Sequence, residues 1–287
     1  MADKTATEQS RHIHISSKRK LFTLNLGEVW RYRDLIWLFT KRSFTVTYKQ
    51  TVLGPAWIFI NPLLTSLVFS VIFGDIAGLG PEGVPQLLFY MCSNGLWSYF
   101  SSCVTGNATT FTANAAVFGK VYFPRLTTPI SNMLSAIIRF GIQMLLTACL
   151  FVYYLANGAV NPHWWAWALL PIVVLHLGLL GMGVGIIVSS LTTKYRDLAV
   201  LISFCVQLWM YATPIVYPMA QIEGGALKTA IALNPVTAPV ELFRYAFLGQ
   251  GTVSVEGLVL SVILTLLCVI FGIMIFNRVE KTFMDTV

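Results

Sequence analysis

The sequence predicts an all-α membrane protein that crosses the bilayer several times, and three observations support this prediction. Hydrophobic residues make up 56% of the 287 residues and charged residues only 11%, whereas soluble domains carry about a quarter charged residues. The mean hydropathy is +0.72. The apolar residues also collect in long runs separated by short loops. So few charges cannot cover a water-facing surface, and we therefore expect an integral membrane protein.

Six apolar runs are long enough to cross a bilayer core, which needs about 20 residues of helix. They cover residues 56–76, 86–106, 130–155, 164–191, 198–217 and 258–276. We expect six transmembrane helices within a domain of residues 51–278. A tail of residues 1–29 and an amphipathic helix of residues 30–50 precede this domain, and a short tail of residues 279–287 follows it.

The distribution of Lys and Arg predicts that both termini are cytoplasmic. Ten of the 19 Lys and Arg residues lie between residues 4 and 49, and the loops after the second and fourth runs hold further pairs. The loops after the first and third runs hold none. Basic loops remain on the cytoplasmic side of a membrane. The net charge of +7 therefore belongs to a membrane surface, and we expect no nucleic-acid partner.

The amphipathic helix predicted for residues 30–50 has two apolar stripes with basic residues between them. The stripes are Trp30, Trp37, Phe44 and Tyr48, and Tyr32, Phe39 and Val46. Two stripes favour burial between lipid and protein, and a simple basic anchor on the lipid surface is the alternative. Gly54-Pro55 then ends the helix and begins the first span.

No group of residues in the sequence suits catalysis or energy conversion. The only Gly-Lys pair, Gly119-Lys120, lacks the other residues of a phosphate-binding loop. The twelve acidic residues lie in tails, loops or the ends of runs, and the five cysteines form no CxxC pair. His176 stands alone in its run and is interpreted as a packing residue. We expect no catalytic residue, metal or cofactor, and infer that a partner polypeptide supplies the energy.

Two loops on the predicted cytoplasmic side suit docking to such a partner. Residues 114–129 contain Lys120 and Arg125. Residues 192–198 join the fourth and fifth spans and contain Lys194, Tyr195, Arg196 and Asp197. A role as ordinary solvated connectors is the alternative for both loops.

The second run is the least lipid-like of the six. Phe89, Ser93, Trp97 and Phe100 follow a helical spacing and share one face, and Ser98 adds a further hydroxyl. Polar groups inside spans face protein or water rather than lipid. Aromatic rings and hydroxyls suit sugars, so these five residues are predicted to line a substrate channel, with interhelical hydrogen bonding as the alternative. Arg139 in the third run is costly in lipid, and it either binds an anionic group or extends to the cytoplasmic edge.

The segment of residues 218–257 is too long for a turn and too apolar for a solvated loop. It predicts two short helices broken at Asn234-Pro235, with Gly249 ending the second. Glu241 and Arg244 are three residues apart and can pair on a helix. We expect a re-entrant outer hairpin that caps a pore.

Five stretches carry a resemblance to a known family. "YKQTVLGPAW", "FGKVYFPRL", "TTKYRDL", "LNPVTAPVELFRYAFLG" and "NRVEKTFMDTV" occur in this order around the six runs. They resemble the permease subunits of ABC-type polysaccharide exporters, in the branch for O-antigen and related lipid-linked glycans. The likeness covers residues 30–287 and leaves the first 29 residues outside.

The resemblance implies a homodimer in a bacterial inner membrane, bound to two ATP-binding subunits and exporting a polyprenyl-diphosphate-linked polysaccharide. It makes residues 30–50 an interface helix and the loops of residues 114–125 and 192–198 coupling elements. It makes the hairpin with Glu241 and Arg244 an outer gate. It also implies a cytoplasmic gate near the lipid diphosphate, which we assign to Lys41, Arg42, Lys49, Leu53 and Gly54.

Two other classes of function are compatible with parts of the sequence. A permease of the same architecture could export a drug or a simple lipid, and an aromatic-rich channel argues against it. A membrane enzyme such as a glycan acyltransferase would need a His or a carboxylate at an intramembrane cavity. The candidates for that role in this sequence are poor.

Overall fold

The computed structural model describes residues 26–49, 51–121, 123–195 and 197–286. Within these ranges the regular structure is entirely helical, with no strand. The predicted tail of residues 1–29 lies almost wholly outside the described residues. The prediction of an all-α fold agrees with the structure.

Among the described residues, four helices are long and apolar enough to cross a membrane, and all four match predicted spans. They are the continuous helical segment Gly54–Ile76, α6 (Thr127–Ala156), α8 (Leu170–Thr192) and the Val255–Val279 part of α12 (Val255–Thr286). The first of them begins with the 3₁₀ turn Gly54–Ala56, continues as α3 (Trp57–Phe69) and ends in the π-helical Ser70–Ile76. The chain is therefore a polytopic membrane protein.

The helix at the centre of the bundle, α4 (Gln86–Ala108), is as long as a span but more polar. Sixteen of its 23 residues are buried, because α3, α6, α8 and α9 surround it. Gly181 and Gly185 of α8 allow the closest approach, since a Cβ on Gly185 would lie 2.6 Å from the Cβ of Asn107. Small residues at this spacing let two helix backbones pack tightly.

Two predicted runs are interrupted by turns in the structure. The fifth run is helical only as α9 (Leu198–Tyr211), and residues 212–218, which include Pro214, form a turn. The fourth run divides into the short α7 (Trp164–Trp167) and α8, which begins just before Pro171. Proline lacks the amide hydrogen that a continuing helix requires, and it restricts the residue before it.

The N-terminal helical region divides at Tyr32 into α1 (Leu26–Arg31) and α2 (Arg33–Tyr48). Tyr32 and Phe39 pack on an aromatic cluster that includes Phe123, with the rings of Phe39 and Phe123 5.7 Å apart. Trp30 of the other predicted stripe is 70% exposed. Tyr32 and Phe39 thus contact protein, whereas Val46 of the same stripe is 74% exposed. In the other stripe Trp30 and Trp37 are exposed, and Tyr48 is partly covered by the bundle.

Helix α2 runs parallel to the first half of α6. The Thr40 hydroxyl donates a hydrogen bond to the Ser131 carbonyl at 3.3 Å. Eight residues further along each helix, Tyr48 and Arg139 line the same cavity. The residues after α2 therefore lie about 12 Å further along the bundle than Thr40, at 1.5 Å per residue.

The two ends of the bundle carry different elements. At one end, α5 (Thr110–Phe118) packs on the ends of α8 and α12, with the Phe111 and Phe276 rings 4.5 Å apart. At the other end, α10 (Ala226–Ala232) and α11 (Thr237–Leu248) form the predicted hairpin, which breaks at residues 233–236. Gly249 ends α11 with a positive φ of 72°, a conformation that glycine adopts without strain.

Candidate functional site

A buried ion pair at the hairpin end of the bundle joins three segments of the chain. Arg244 Nη1 lies 2.8 Å from Glu241 Oε1, and Arg244 is 1% exposed. Arg244 Nε donates to Ser93 Oγ of α4 at 2.7 Å, and Nη2 donates to the Ile215 carbonyl at 3.0 Å. The guanidinium also lies 4.0 Å from the centroid of the Phe89 ring. We call this group the Arg244 clamp.

The second carboxylate oxygen of Glu241 is also satisfied. It accepts hydrogen bonds from the backbone N–H of Thr252 at 2.9 Å and from the Thr252 hydroxyl at 3.2 Å. A buried ion pair tolerates its loss of hydration only when its remaining hydrogen-bonding groups are matched in this way. The predicted pairing of Glu241 with Arg244 is present, and it ties α11 to α4 and to the loop after α9.

A cavity of about 530 Å³ opens beside the Arg244 clamp at the hairpin end. Its walls come from α4, from the loop after α9 and from the residues on both sides of α11, among them Glu82, Phe89, Met219, Gln221, Gln250 and Thr252. Arg244 and Glu241 lie in its wall, but their side chains are almost wholly buried. A change in the shape of this part of the wall would therefore require Arg244 and Glu241 to move.

The predicted channel face of α4 is mostly inside the protein. Phe89, Ser93, Trp97 and Phe100 are buried, and Phe100 contacts the Trp209 ring of α9 at a centroid distance of 5.2 Å. Within this chain α9 covers the side of the helix that carries Trp97 and Phe100, and their role in a conduit stays a prediction. Ser98, on the other side, is exposed. The buried aromatic face fits the alternative interpretation, in which these residues make contacts between helices.

The predicted cytoplasmic gate is solvent-accessible. Lys41, Arg42 and Lys49 are exposed, and Leu53 is 46% exposed. Gly54 has a φ of +52°, and a Cβ added to it would meet no atom within 4 Å. Glycine is thus required here for its backbone conformation.

A second arginine lies inside the bundle in a different environment. Arg139 of α6 is half-buried and lines a cavity of about 220 Å³. The other lining residues come from the end of α2, from α3, α4 and α6: Tyr48, Trp57, Ile58, Asn61, Pro62, Ser98, Tyr99, Ser102, Ala136, Phe140 and Gln143. We call this the Arg139 cavity.

Arg139 has no countercharge in the part of the chain that the structure describes. It forms neither an ion pair nor a hydrogen bond with any described residue. Its charge also acts on Tyr48 at the end of α2. Burial raises the pKa of the Tyr48 phenol, and the positive charge of Arg139 partly opposes this rise. An arginine at the centre of a span costs about 2.5–3.5 kcal/mol. Sequence reasoning left two readings of this residue open, and the structure places it at a cavity.

The two predicted coupling loops lie side by side at the end of the bundle opposite the hairpin. The Thr192 hydroxyl donates to the Ala108 carbonyl at 3.0 Å, and Ser189 Oγ accepts from the Phe111 N–H at 3.2 Å. Lys120, Lys194, Tyr195 and Asp197 are exposed. They form a charged surface that another protein can reach.

Arg125 differs from the other predicted coupling residues. It is buried, and its guanidinium lies 5.5 Å from the centroid of the Phe118 ring. Arg125 is thus covered by the protein in this structure, and its role in coupling stays a prediction. Arg196, also predicted to couple, lies outside the described residues.

The described residues contain no cluster of His, Cys, Asp and Glu that could hold a metal ion. His176, the one intramembrane candidate for a base, has Nε2 2.8 Å from Ser261 Oγ. This contact links α8 to α12, as expected for a packing residue. The charged groups of the bundle are thus arranged for structure or binding.

An all-helical bundle with apolar spans, internal arginines and a charged loop surface at one end defines a membrane transport subunit. Residues 34–248 match the ABC-2 type transporter family, which is most of the chain. The chain belongs to this family, and it is therefore a transporter subunit rather than an enzyme. The resemblance found in the sequence motifs is confirmed at the level of the ABC permeases.

Comparison with known proteins gives relatives along nearly the full length. The chain is 28% identical over 264 residues to an O-antigen export system permease protein RfbA of Klebsiella pneumoniae, covering 91% of this chain and 96% of that protein. It is 27% identical over 224 residues to the RfbA permease protein of Myxococcus xanthus, covering 77% and 82%.

Proposed function

We propose that this chain is the membrane subunit of an ATP-driven exporter that moves a polyprenyl-diphosphate-linked polysaccharide of the O-antigen type across a bacterial inner membrane. The observation that carries the proposal is the likeness to O-antigen export permeases over 91% of this chain and 96% of one relative. Since both chains align along almost their whole length, the likeness extends to the spans, the hairpin and the loops together.

The proposed topology has six spans and cytoplasmic termini. The two spans beyond the four long apolar helices are α4 and α9. Helix α4 is long enough but lies inside protein, where polar residues are tolerated. Helix α9 covers about 21 Å of a core of about 30 Å, and the turn after it completes the crossing. The hairpin α10–α11 then re-enters from the outer side and is held by the Arg244 clamp.

The proposed assembly contains two copies of this chain and two ATP-binding subunits. Uncovered apolar surface supports the second copy: α9 has a single buried residue, Val206, and only 17% of the first span is buried. Some of this surface faces lipid, and some is available to a partner. The proposed contacts with the ATP-binding subunits are Lys120, Lys194, Tyr195 and Asp197, because all four are exposed in the loops predicted to be cytoplasmic.

Lys41, Arg42, Lys49 and the loop at Leu53 and Gly54 are the proposed entry for the lipid-linked substrate. Basic residues attract anionic head groups at a membrane surface by about 1 kcal/mol each. With Trp97 and Phe100 inside the bundle, Ser98 is the predicted channel residue that remains on an accessible surface. The glycan path is therefore proposed on the Ser98 side of α4.

A gene deletion in the native bacterium tests the proposed cargo. Loss of the permease should remove long-chain polysaccharide from the cell surface, while polysaccharide attached to polyprenyl diphosphate accumulates inside. The wild-type gene should restore both measurements. Unchanged surface polysaccharide in the deletion strain, together with altered export of a drug or a simple lipid, would assign the permease to another cargo.

A further inference from the structure

The Arg139 cavity is lined by hydrogen-bond donors that have no partner. Gln143 is 5% exposed, and its Nε2 has no hydrogen-bond partner in the described residues. Arg139 likewise forms no hydrogen bond or ion pair within them. Buried polar groups are nearly always paired. Two unpaired donor groups at one cavity therefore point to a ligand that accepts hydrogen bonds.

The lining favours an anion over a cation or a neutral group. No carboxylate contributes to the cavity among the described residues. The polar side chains that line it with Arg139 carry amides (Asn61 and Gln143) or hydroxyls (Tyr48, Ser98, Tyr99 and Ser102). An arginine presents five N–H donors in a planar fork that matches phosphate. A cavity of about 220 Å³ holds about seven water-sized groups at ~30 Å³ each, which is enough for a diphosphate.

The position of the cavity indicates that the anion is carried by a lipid. Tyr48 closes it at the end of α2, and Trp57 lies just beyond the Gly54 turn, so the cavity adjoins the proposed entry loop. Asn61 and Ser98 are exposed, so it opens on the surface of the chain. The neighbouring face of α3 carries exposed Leu64 and Leu67, which suit an acyl or isoprenoid chain beside the bound head group.

We propose that the Arg139 cavity is a binding site for the phosphate groups of a membrane lipid, with Arg139 as the charged ligand and Gln143 as a neutral donor. The identification of that lipid as the polyprenyl-diphosphate carrier rests on the proposed function. In that case the cavity receives the diphosphate after it passes the Gly54 loop, while the sugar chain extends along the Ser98 side of α4. Ordinary anionic phospholipid is the other source of the same chemistry.

A lipid-binding measurement on the full-length permease tests the site. The protein is placed in phosphatidylcholine nanodiscs with undecaprenyl diphosphate or with phosphatidylglycerol, and bound lipid is counted by native mass spectrometry. Wild-type protein should retain undecaprenyl diphosphate, and Arg139→Gln should bind it about tenfold more weakly, as expected for one charge-assisted contact. Arg139→Lys should recover part of the loss. Arg278→Gln removes an exposed arginine elsewhere and should bind as wild type does.

Gln143→Leu is a second variant that separates binding from folding. Its amide has no partner to lose, so the thermal unfolding temperature should not fall, while diphosphate binding should weaken. Binding that is unaffected by both Arg139→Gln and Gln143→Leu would overturn the proposed site.

The two lipids distinguish the two sources of phosphate. Arg139-dependent binding of undecaprenyl diphosphate that excess phosphatidylglycerol does not displace supports a substrate site. Equal, Arg139-dependent binding of phosphatidylglycerol supports a phosphate site but overturns its assignment to the carrier lipid. Neither measurement requires the glycan or export, so a failure of the proposed cargo in the deletion strain would leave this result independent.

Discussion

Arg244 and Arg139 both lie inside the helical bundle, yet their surroundings are opposite. Arg244 has a carboxylate at 2.8 Å, a hydroxyl at 2.7 Å, a carbonyl at 3.0 Å and an aromatic ring against its face. Arg139 has no ion-pair or hydrogen-bond partner among the described residues and lies at a cavity. A matched buried charge holds segments together, whereas an unmatched one lowers stability until a ligand binds. The comparison therefore separates a structural arginine from a binding arginine.

The largest effect should come from breaking the Arg244 clamp. Arg244→Met leaves the Glu241 charge buried and should lower the free energy of unfolding by about 3–5 kcal/mol. The double variant Glu241→Leu/Arg244→Met should recover most of that loss, because no buried charge then remains unpaired. The thermal unfolding temperature of the purified permease measures both.

Arg139→Met is the matched control for this comparison. It removes a charge that has no partner, so it should not lower the free energy of unfolding, while export is lost. If Arg139→Met destabilises the protein as much as Arg244→Met does, the distinction between the two arginines is wrong.

The Gly54 turn should show the next largest effect. Gly54→Val places a β-branched residue at a φ of +52° and should cost about 1–3 kcal/mol of strain, with loss of export. Gly54→Asn should retain most export, since asparagine tolerates this left-handed conformation. Surface polysaccharide and unfolding temperature are measured together. Loss of export with Asn at full stability would instead indicate that added side-chain volume blocks the passage of substrate.

The exposed charges of the loop between α8 and α9 form a third kind of charged group. Lys194→Ala/Asp197→Ala should leave stability within about 0.5 kcal/mol but weaken co-purification with the ATP-binding subunit about tenfold, equivalent to about 1.4 kcal/mol. Arg125→Ala should do the reverse, because Arg125 packs on Phe118. Normal co-purification of the double variant would exclude this loop as a docking surface.

The smallest effect on stability should come from a cysteine at the exposed Ser98, and a cysteine at the buried Ser93 provides the comparison. The exposed native Cys149 and Cys205 are first replaced by serine. Ser98→Cys should then react with a water-soluble thiol reagent in the assembled transporter. Ser93→Cys should react at least about tenfold more slowly, because Ser93 lies beneath the Arg244 clamp and is reached only when the structure opens locally. Equal rates at both positions would contradict the packing of α4.

Features that depend on neighbouring residues in the chain were predicted well. The hairpin break at Asn234-Pro235, the end of α11 at Gly249 and the pairing of Glu241 with Arg244 all follow from local backbone and helical spacing. The turns near Pro171 and Pro214 could have been predicted from the same local rules. Hydropathy alone, however, extended the fourth and fifth runs across these two prolines. Reading proline before hydropathy would have found both interruptions.

Features that depend on a distant segment were predicted poorly. The face containing Trp97 and Phe100 was assigned to a channel because its residues suit sugars, but Trp209 of α9 covers it. Arg125 was assigned to a docking surface because it is charged, but its guanidinium packs against the Phe118 ring. The polarity of a residue restricts which surroundings are favourable for it, but does not determine which helix provides those surroundings.

The sequence by itself determined that this protein is a helical membrane protein of the ABC permease type, because hydropathy, basic loops and short motifs are properties of contiguous residues. Only the tertiary structure decided that Arg244 is matched and Arg139 is not. Both are single arginines in apolar surroundings along the chain. Local spacing predicted Glu241 as one partner of Arg244, but its other partners, Ser93 and Ile215, lie more than 25 residues away. Packing assigns those partners, since the cost of a buried charge depends on every group that the fold brings into contact with it.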